Sequence, residues 1–385
     1  WAFGHQLTGS RKLGVLAPLT VAVMGNLEGF LQTLRLGWPY LINYFNSSRI
    51  IHDGAGPNPG ATINEFPFFS FFHADLHPHV SSAPFVIFYV IILYKFALSL
   101  RTQEIRRSLP ALSGRTLTAG ICLGLLGFIN GLDLPTFGLA FAAVALCFIL
   151  RENTAGVITP GRAVVSIIQA AVLSLAAAVI AYAAALPEGF LGWNTYRSNF
   201  GEFLVVFHLQ LALAGIFLLM VFSKFRAKLG DEPLKAILLT AGVLFFLAFG
   251  LFGFFITALL SALLILFLVA MGFNAWRPDR LFVSVIMGLS IAILLGCEFV
   301  HIQDAYGDKL QRMNTLFKFH YQAWIMMGLC APLVVKMLRT AHSWTAGTRQ
   351  LLRVAVVLLL VLNLVYPFGV SWGRIRGHQQ GPKTL

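Results

Sequence analysis

Thr62–Leu100 reads TINEFPFFSFFHADLHPHVSSAPFVIFYVIILYKFALSL. From Val80 onward it is an apolar run of about 20 residues, the length a helix needs to cross a hydrocarbon core. The part before that packs Glu65, His73, Asp75, His77 and His79 among Phe66, Phe68, Phe69, Phe71 and Phe72. Ionisable groups beside so much apolar surface lose hydration at a cost of several kcal/mol each unless they are paired. They therefore mark either a paired structural network or a site that acts.

The same alternation of long apolar runs and short polar connections continues along the chain. Of 385 residues, 58% are hydrophobic and only 11% charged, with a mean hydropathy of +0.78. Soluble domains are roughly half apolar and a quarter charged. The composition predicts an all-α, polytopic transmembrane helical bundle. About eleven spans are expected, near 13–33, 80–100, 116–131, 134–150, 163–186, 203–222, 234–250, 254–273, 281–299, 316–338 and 351–369. Gly250 and Gly253 break the run at 234–273, and Gly131-Leu132-Asp133-Leu134-Pro135 makes a tight turn between two others. The runs lack the period-2 alternation of a barrel, and a spanning helix satisfies its own backbone. The expected organisation is one helical domain over 1–370 with long connections near 37–79, 187–202 and 300–315, then a tail at 371–385. Because the chain opens at Trp1 with no initiator Met and no charged leader, a fragment lacking upstream segments is expected.

A net charge of +13 would suggest nucleic acid in a soluble chain, but the bases sit in short loops between apolar runs. One set of alternate loops holds Arg11, Lys12, Arg101, Arg106, Arg107, Lys224, Arg226, Lys336, Arg339, Arg349 and Arg353. The other set holds Asp53, Glu65, Asp75, Asp133, Glu202, Glu298, Asp304 and Asp308, with fewer bases. The positive-inside rule makes the first set cytoplasmic and the acid-rich set extracytoplasmic, in an integral plasma (inner) membrane. Cys122, Cys147, Cys297 and Cys330 show no CxxC spacing and read as small core residues.

Two constellations can carry chemistry. In His73-Ala-Asp75-Leu-His77-Pro-His79, ligands recur at every second residue, so an extended backbone points them to one side. Imidazole with carboxylate suits zinc, manganese or iron, which makes a divalent metal the one cofactor to expect. Alternatively these histidines cap the following helix and bond lipid headgroups or carbonyls. The second constellation runs from Glu298 to Trp324. A helix beginning near Arg312 puts Arg312, Thr315 and His320 near the outer mouth, with Lys318 one to two turns below. Lys318 can snorkel beside its aromatic neighbours, or join Arg312 and the helix N-terminus in holding a lipid phosphate. Asn26, Glu28, Asn130, Asp133 and the loop around Asn194 place further polar groups on the same side. Acids, imidazoles, amides and bases thus converge on one face, as a substrate vestibule requires.

Glu65 to Phe71, Asp75 to His79 and Arg312 to Phe319 resemble motifs of the YYY family of prokaryotic membrane proteins, and Asn26 to Gly29 and Asn130 to Thr136 resemble further family segments. That family in turn resembles GT-C glycosyltransferases. The resemblance implies a GT-C-like fold and transfer of a sugar from a polyprenyl-phosphate donor on the extracytoplasmic face. It gives Asp75 the base or metal role, Glu65 and Asp304 supporting acid roles, and Arg312, Lys318, Asn314, His320 and Asp133 the substrate and its phosphate. Partners implied are membrane lipid and the polyprenyl-phosphate sugar. The GT-C pattern has an acidic residue in its first outward loop that is not recognisable here. Two other readings stay open: a non-catalytic assembly subunit of a larger membrane complex, and a lipid or solute transporter.

Overall fold

The computed structural model describes residues 1–37, 42–54, 59–74, 76–99, 114–154, 191–229, 254–274, 277–341 and 344–376, with single positions between 240 and 249. Helices dominate: α1 (Ala2–Thr8), α2 (Arg11–Gly14), α3 (Leu16–Pro18), α4 (Glu28–Leu36), α5 (Pro67–His73), α6 (Pro78–Ser99), α7 (Gly114–Ile129), α8 (Asp133–Thr154), α9 (Phe200–Leu229), α10 (Phe255–Phe273), α11 (Pro278–Phe299), α12 (Met313–Arg339) and α13 (Ala346–Ile375). Seven of the described helices are long and apolar enough to cross a membrane, or eight if a bent pair counts as one span. This is a polytopic helical membrane architecture with fewer such helices than the eleven spans expected. Three stretches account for the difference. The run at 116–131 yields only the short apolar helix Leu117–Ile129, 163–186 lies outside the described residues, and 234–250 has only single described positions.

The bent pair is Arg11–Val23 with Glu28–Leu36, broken by 67°. A break inside a membrane exposes backbone groups that must find partners. Here Gly25 N donates to Asn363 O at 3.0 Å and Leu27 N to Val205 O at 3.0 Å, so neighbouring helices replace the lost ladder bonds. The break also needs small residues: a Cβ on Gly25 or Gly29 would lie 2.6 Å from Tyr366 side-chain atoms.

Contacts divide the chain into two compact units. The first comprises Trp1–Ala74, Leu191–Leu263 and Ser290–Leu385; the second comprises Asp75–Phe190 and Leu264–Leu289. In the first unit α12 is the central post, in contact with α1, α3, α9 and α13. Its span is 89% buried while that of α13 is 22% buried, so α13 presents a wide apolar face to its surroundings. The aromatic run at 66–72, most of which forms α5, has one buried edge: Phe68 and Phe72 are half-buried and Phe71 is exposed. Pro67 occupies the first turn of α5, where its missing N–H costs nothing. Phe66 and Phe69 are fully buried, with Phe66 stacked on Trp324 at 5.3 Å and edge-on to Tyr366 at 5.1 Å. Ala74 ends this helix in the left-handed region at φ 62°, a conformation costing an alanine about 1 kcal/mol.

Two short antiparallel ribbons, not foreseen in an all-α chain, tie the connections of the first unit together. β1 (His52–Asp53) pairs with β2 (Gly60–Ala61), and β3 (Leu191–Trp193) pairs with β4 (Val300–Ile302). In the second unit α6, α7 and α8 pack on one another. Tyr89 meets Phe137 edge-on and Phe96 stacks on Phe141.

Candidate functional site

Arg312 ends the connection that follows β4, immediately before α12. Its backbone N donates to Asp53 Oδ2 at 2.7 Å and its Nε to Asp53 Oδ1 at 2.7 Å. Nη1 donates to Glu298 Oε2 at 3.2 Å and to Ser198 Oγ at 3.1 Å. Ser198 in turn gives both its N–H and its hydroxyl to Glu298, at 2.8 and 2.6 Å. The side chains of Arg312, Asp53 and Glu298 are all 0% exposed. Two carboxylates around one guanidinium are tolerable away from water only because every charged oxygen named here also accepts a hydrogen bond. The four residues come from β1, the connection before α9, the end of α11 and the start of α12, so the cluster fastens four distant chain segments at one point.

Neighbouring polar bonds extend this fastening. Asn194 Nδ2 donates to Cys297 O at 2.8 Å, and Asn194 Oδ1 lies 2.9 Å from His301 Nδ1. Ile302 N donates to Thr315 Oγ1 at 2.7 Å, and the Thr195 N–H and hydroxyl both reach Gln311 Oε1. His52 and Glu202 meet at 2.9 Å, with His52 N donating to the same carboxylate. Asn64 Oδ1 accepts from Ile50 N and Ile51 N at 3.0 and 2.7 Å.

The predicted site residues fall in different places. Arg312 gives Nε and Nη1 to the buried cluster, while its buried Nη2 has no hydrogen-bond partner among the described residues. His320, expected near a mouth, is buried edge-on against Phe203 and Phe207, and neither ring nitrogen has a hydrogen-bond partner among the described residues. Asn314 is half-buried in the first turn of α12, and Lys318 is half-buried with Nζ 4.0 Å from the Phe317 ring centroid. Asp304 is half-buried and accepts from Tyr306 N at 2.9 Å.

Glu65 lies on the short connection into α5, half-buried, with Oε2 accepting from Ser70 Oγ at 2.9 Å. Arg49 is part of the same neighbourhood. Its Nη1 donates to Ser48 O and Oγ, and its guanidinium sits 4.4 Å over the Phe45 ring. Burial lowers the Arg49 pKa from its ordinary value, while the charges of Glu65 and Tyr306 act against that shift. Arginine's ordinary value is so high that the guanidinium stays charged in this setting. His73 Nδ1 lies 3.3 Å from Tyr44 Oη, and its ring stacks on Phe69.

The remaining expected residues belong to the second unit. Asp133 is buried at the start of α8 and accepts from Asn130 Nδ2 at 2.9 Å. His77 is exposed and His79 buried, with ring centroids 5.7 Å apart. Asp75 lies outside the described residues, and among the described residues no group of three or more His, Cys, Asp or Glu side chains is placed to hold a metal ion. The expected four-ligand run His73, Asp75, His77 and His79 thus lies partly outside the described residues.

Asp53, Ser198 and Arg49 are functional candidates that sequence reasoning did not single out, and Glu298 opened the second constellation without being given a role. Asp53 and Glu298 were visible as acids in the same loop set as Arg312, but Asp53 lies 259 residues from its partner and nothing local marks the pair.

Residues 2–327 of the chain match the model of a family described as uncharacterized membrane protein (DUF2298). No curated protein and no solved structure matches the chain.

Proposed function

The chain belongs to this DUF2298 family of membrane proteins, and we propose that it is a glycosyltransferase-like enzyme using a polyprenyl-phosphate sugar donor at its acid-rich, extracytoplasmic end. This reading takes up the resemblance to the YYY family and through it to GT-C enzymes, including a GT-C-like arrangement of about eleven spans. The observation that carries it is a half-buried carboxylate, Glu65, in the electrostatic neighbourhood of a half-buried guanidinium, Arg49, whose charged form it favours. Both stand beside a connection locked by the Asp53–Arg312–Glu298 cluster.

In the proposed reaction Glu65 accepts the proton of an acceptor hydroxyl as that oxygen attacks the sugar's anomeric carbon. The bond between that carbon and the phosphate oxygen breaks, and the polyprenyl phosphate departs with the electron pair. Arg49 balances the charge that develops on it. Arg312, already engaged on both sides, acts as a positioning residue that holds the loops. Asp75 is the second candidate base, Asp304 a supporting acid, and Lys318 with Asn314 a route for the lipid phosphate toward the membrane.

The test is transfer of a labelled sugar from a polyprenyl-phosphate donor by the full chain in proteoliposomes. Glu65→Gln should lower turnover by roughly 10²–10⁴-fold, the usual contribution of a general base, with thermal stability retained. Turnover unchanged in a folded Glu65→Gln protein removes the assigned base, and no turnover by the unaltered protein with any such donor removes the reading.

A further inference from the structure

At the opposite, arginine-rich end of the first unit, α3, α12 and α13 enclose a cleft of about 450 Å³. Its polar lining is confined to Arg339, Gln350 and Arg353. The remaining walls are aliphatic, among them Leu16, Val335, Leu338, Val354 and Leu358. These two kinds of lining are separated along the helices. Arg339 is the last residue of α12, and Arg353 lies seven residues into α13, about 10 Å from its start. Leu358 and Leu360 lie further along α13, away from the loop. The cleft therefore has a cationic end near the helix termini and an apolar end toward the middle of the spans.

The cationic end is held in place. One Nη of Arg353 donates to Arg339 O at 3.3 Å, which fixes the guanidinium beside the end of α12. Its Nε is shielded from water and has no acceptor among the described residues. A ligand that fits must bring an anionic oxygen group to one end and a hydrocarbon chain to the other, and must come from the bilayer beside the exposed face of α13.

We infer that this cleft binds an anionic glycerophospholipid, its phosphate at Arg339 and Arg353 and one acyl chain along Val335, Val354 and Leu358. Water-soluble phosphate is the poorer occupant because most of the lining is aliphatic and offers it nothing. The site is at the end of the molecule remote from Glu65 and Arg312, so it stands whether or not the chain transfers sugars.

The experiment is native mass spectrometry of the full chain extracted from vesicles of phosphatidylglycerol and phosphatidylcholine in equal amounts. The unaltered protein should retain phosphatidylglycerol preferentially. An arginine near an anionic headgroup strengthens retention about fivefold, so the double variant Arg339→Gln/Arg353→Gln should reduce the preference roughly twenty-five-fold. Leu358→Trp, at an exposed position that tolerates bulk, should fill the apolar end and reduce retention of both lipids. A protein without preference for phosphatidylglycerol, a preference that survives the double substitution, or displacement of the lipid by inorganic phosphate would each overturn the inference. Should the double variant fail to fold, the preference of the unaltered protein and the effect of Leu358→Trp still decide it.

Discussion

Replacing Arg312 with glutamine tests whether the buried cluster holds the connections together. The substitution removes the donors to Asp53 Oδ1, Glu298 Oε2 and Ser198 Oγ. It leaves Asp53 the Arg312 backbone N–H, and leaves Glu298 the two donors of Ser198. Hydrogen bonding thus survives in part, but two fully buried carboxylates lose their cation. Removing one partner of a buried pair costs about 3–5 kcal/mol, most of it the uncompensated charge. If charge is the cause, the same change in an Asp53→Asn/Glu298→Gln background should cost nothing or stabilise the protein, because there it removes a buried guanidinium that has lost both carboxylates. The difference is the coupling energy of the cycle. Unfolding can be followed in detergent with a thiol-reactive dye in a Cys122→Ala/Cys147→Ala background, since Cys297 and Cys330 are buried and free while the other two are half-buried. A cost below about 1 kcal/mol, the value of an exposed ion pair, would refute the reasoning, as would an equal cost in both backgrounds.

Gly29→Ala should destabilise the first unit by about 1–3 kcal/mol, because a Cβ there would lie 2.7 Å from the Tyr366 Cα. Gly215→Ala, in α9 with nothing within 4 Å of the added atom, should be neutral or slightly stabilising in the same dye assay. Asn64→Ala leaves the N–H groups of Ile50 and Ile51 without their acceptor at a buried position. It should cost about 2–4 kcal/mol, measured as loss of stability, and retention of full stability would show that those groups find other partners.

Much of the candidate site was legible only as a set of residue types. The motif around Arg312 marked the right arginine, but its neighbours in sequence are not its partners. Asp53 and Ser198 reach it from connections 259 and 114 residues away, and such long-range pairing leaves no periodic trace, while Glu298, 14 residues off, opens the same constellation with no spacing that marks it as the partner. His320 illustrates the same limit: helical spacing from Arg312 gives its depth, while the faces of Phe203 and Phe207 that bury it come from α9. In the aromatic segment at 66–72 phenylalanine suits both headgroup depth and core, and only contact with Trp324 and Tyr366 on α12 and α13 decides that Phe66 is core.

By itself the sequence determined that this chain is helical and lives in a membrane, because run length and the absence of internal charge answer to the bilayer and not to other parts of the chain. It also placed most boundaries of α6, α8, α9, α10, α11, α12 and α13. The tertiary structure decided which charges are paired and which helix is central. It also decided that the first span breaks at Gly25 with its free backbone groups taken up by Asn363 and Val205. These are outcomes of contact between segments far apart in the chain, where the energy of a buried group depends on which neighbour supplies the missing charge or hydrogen bond.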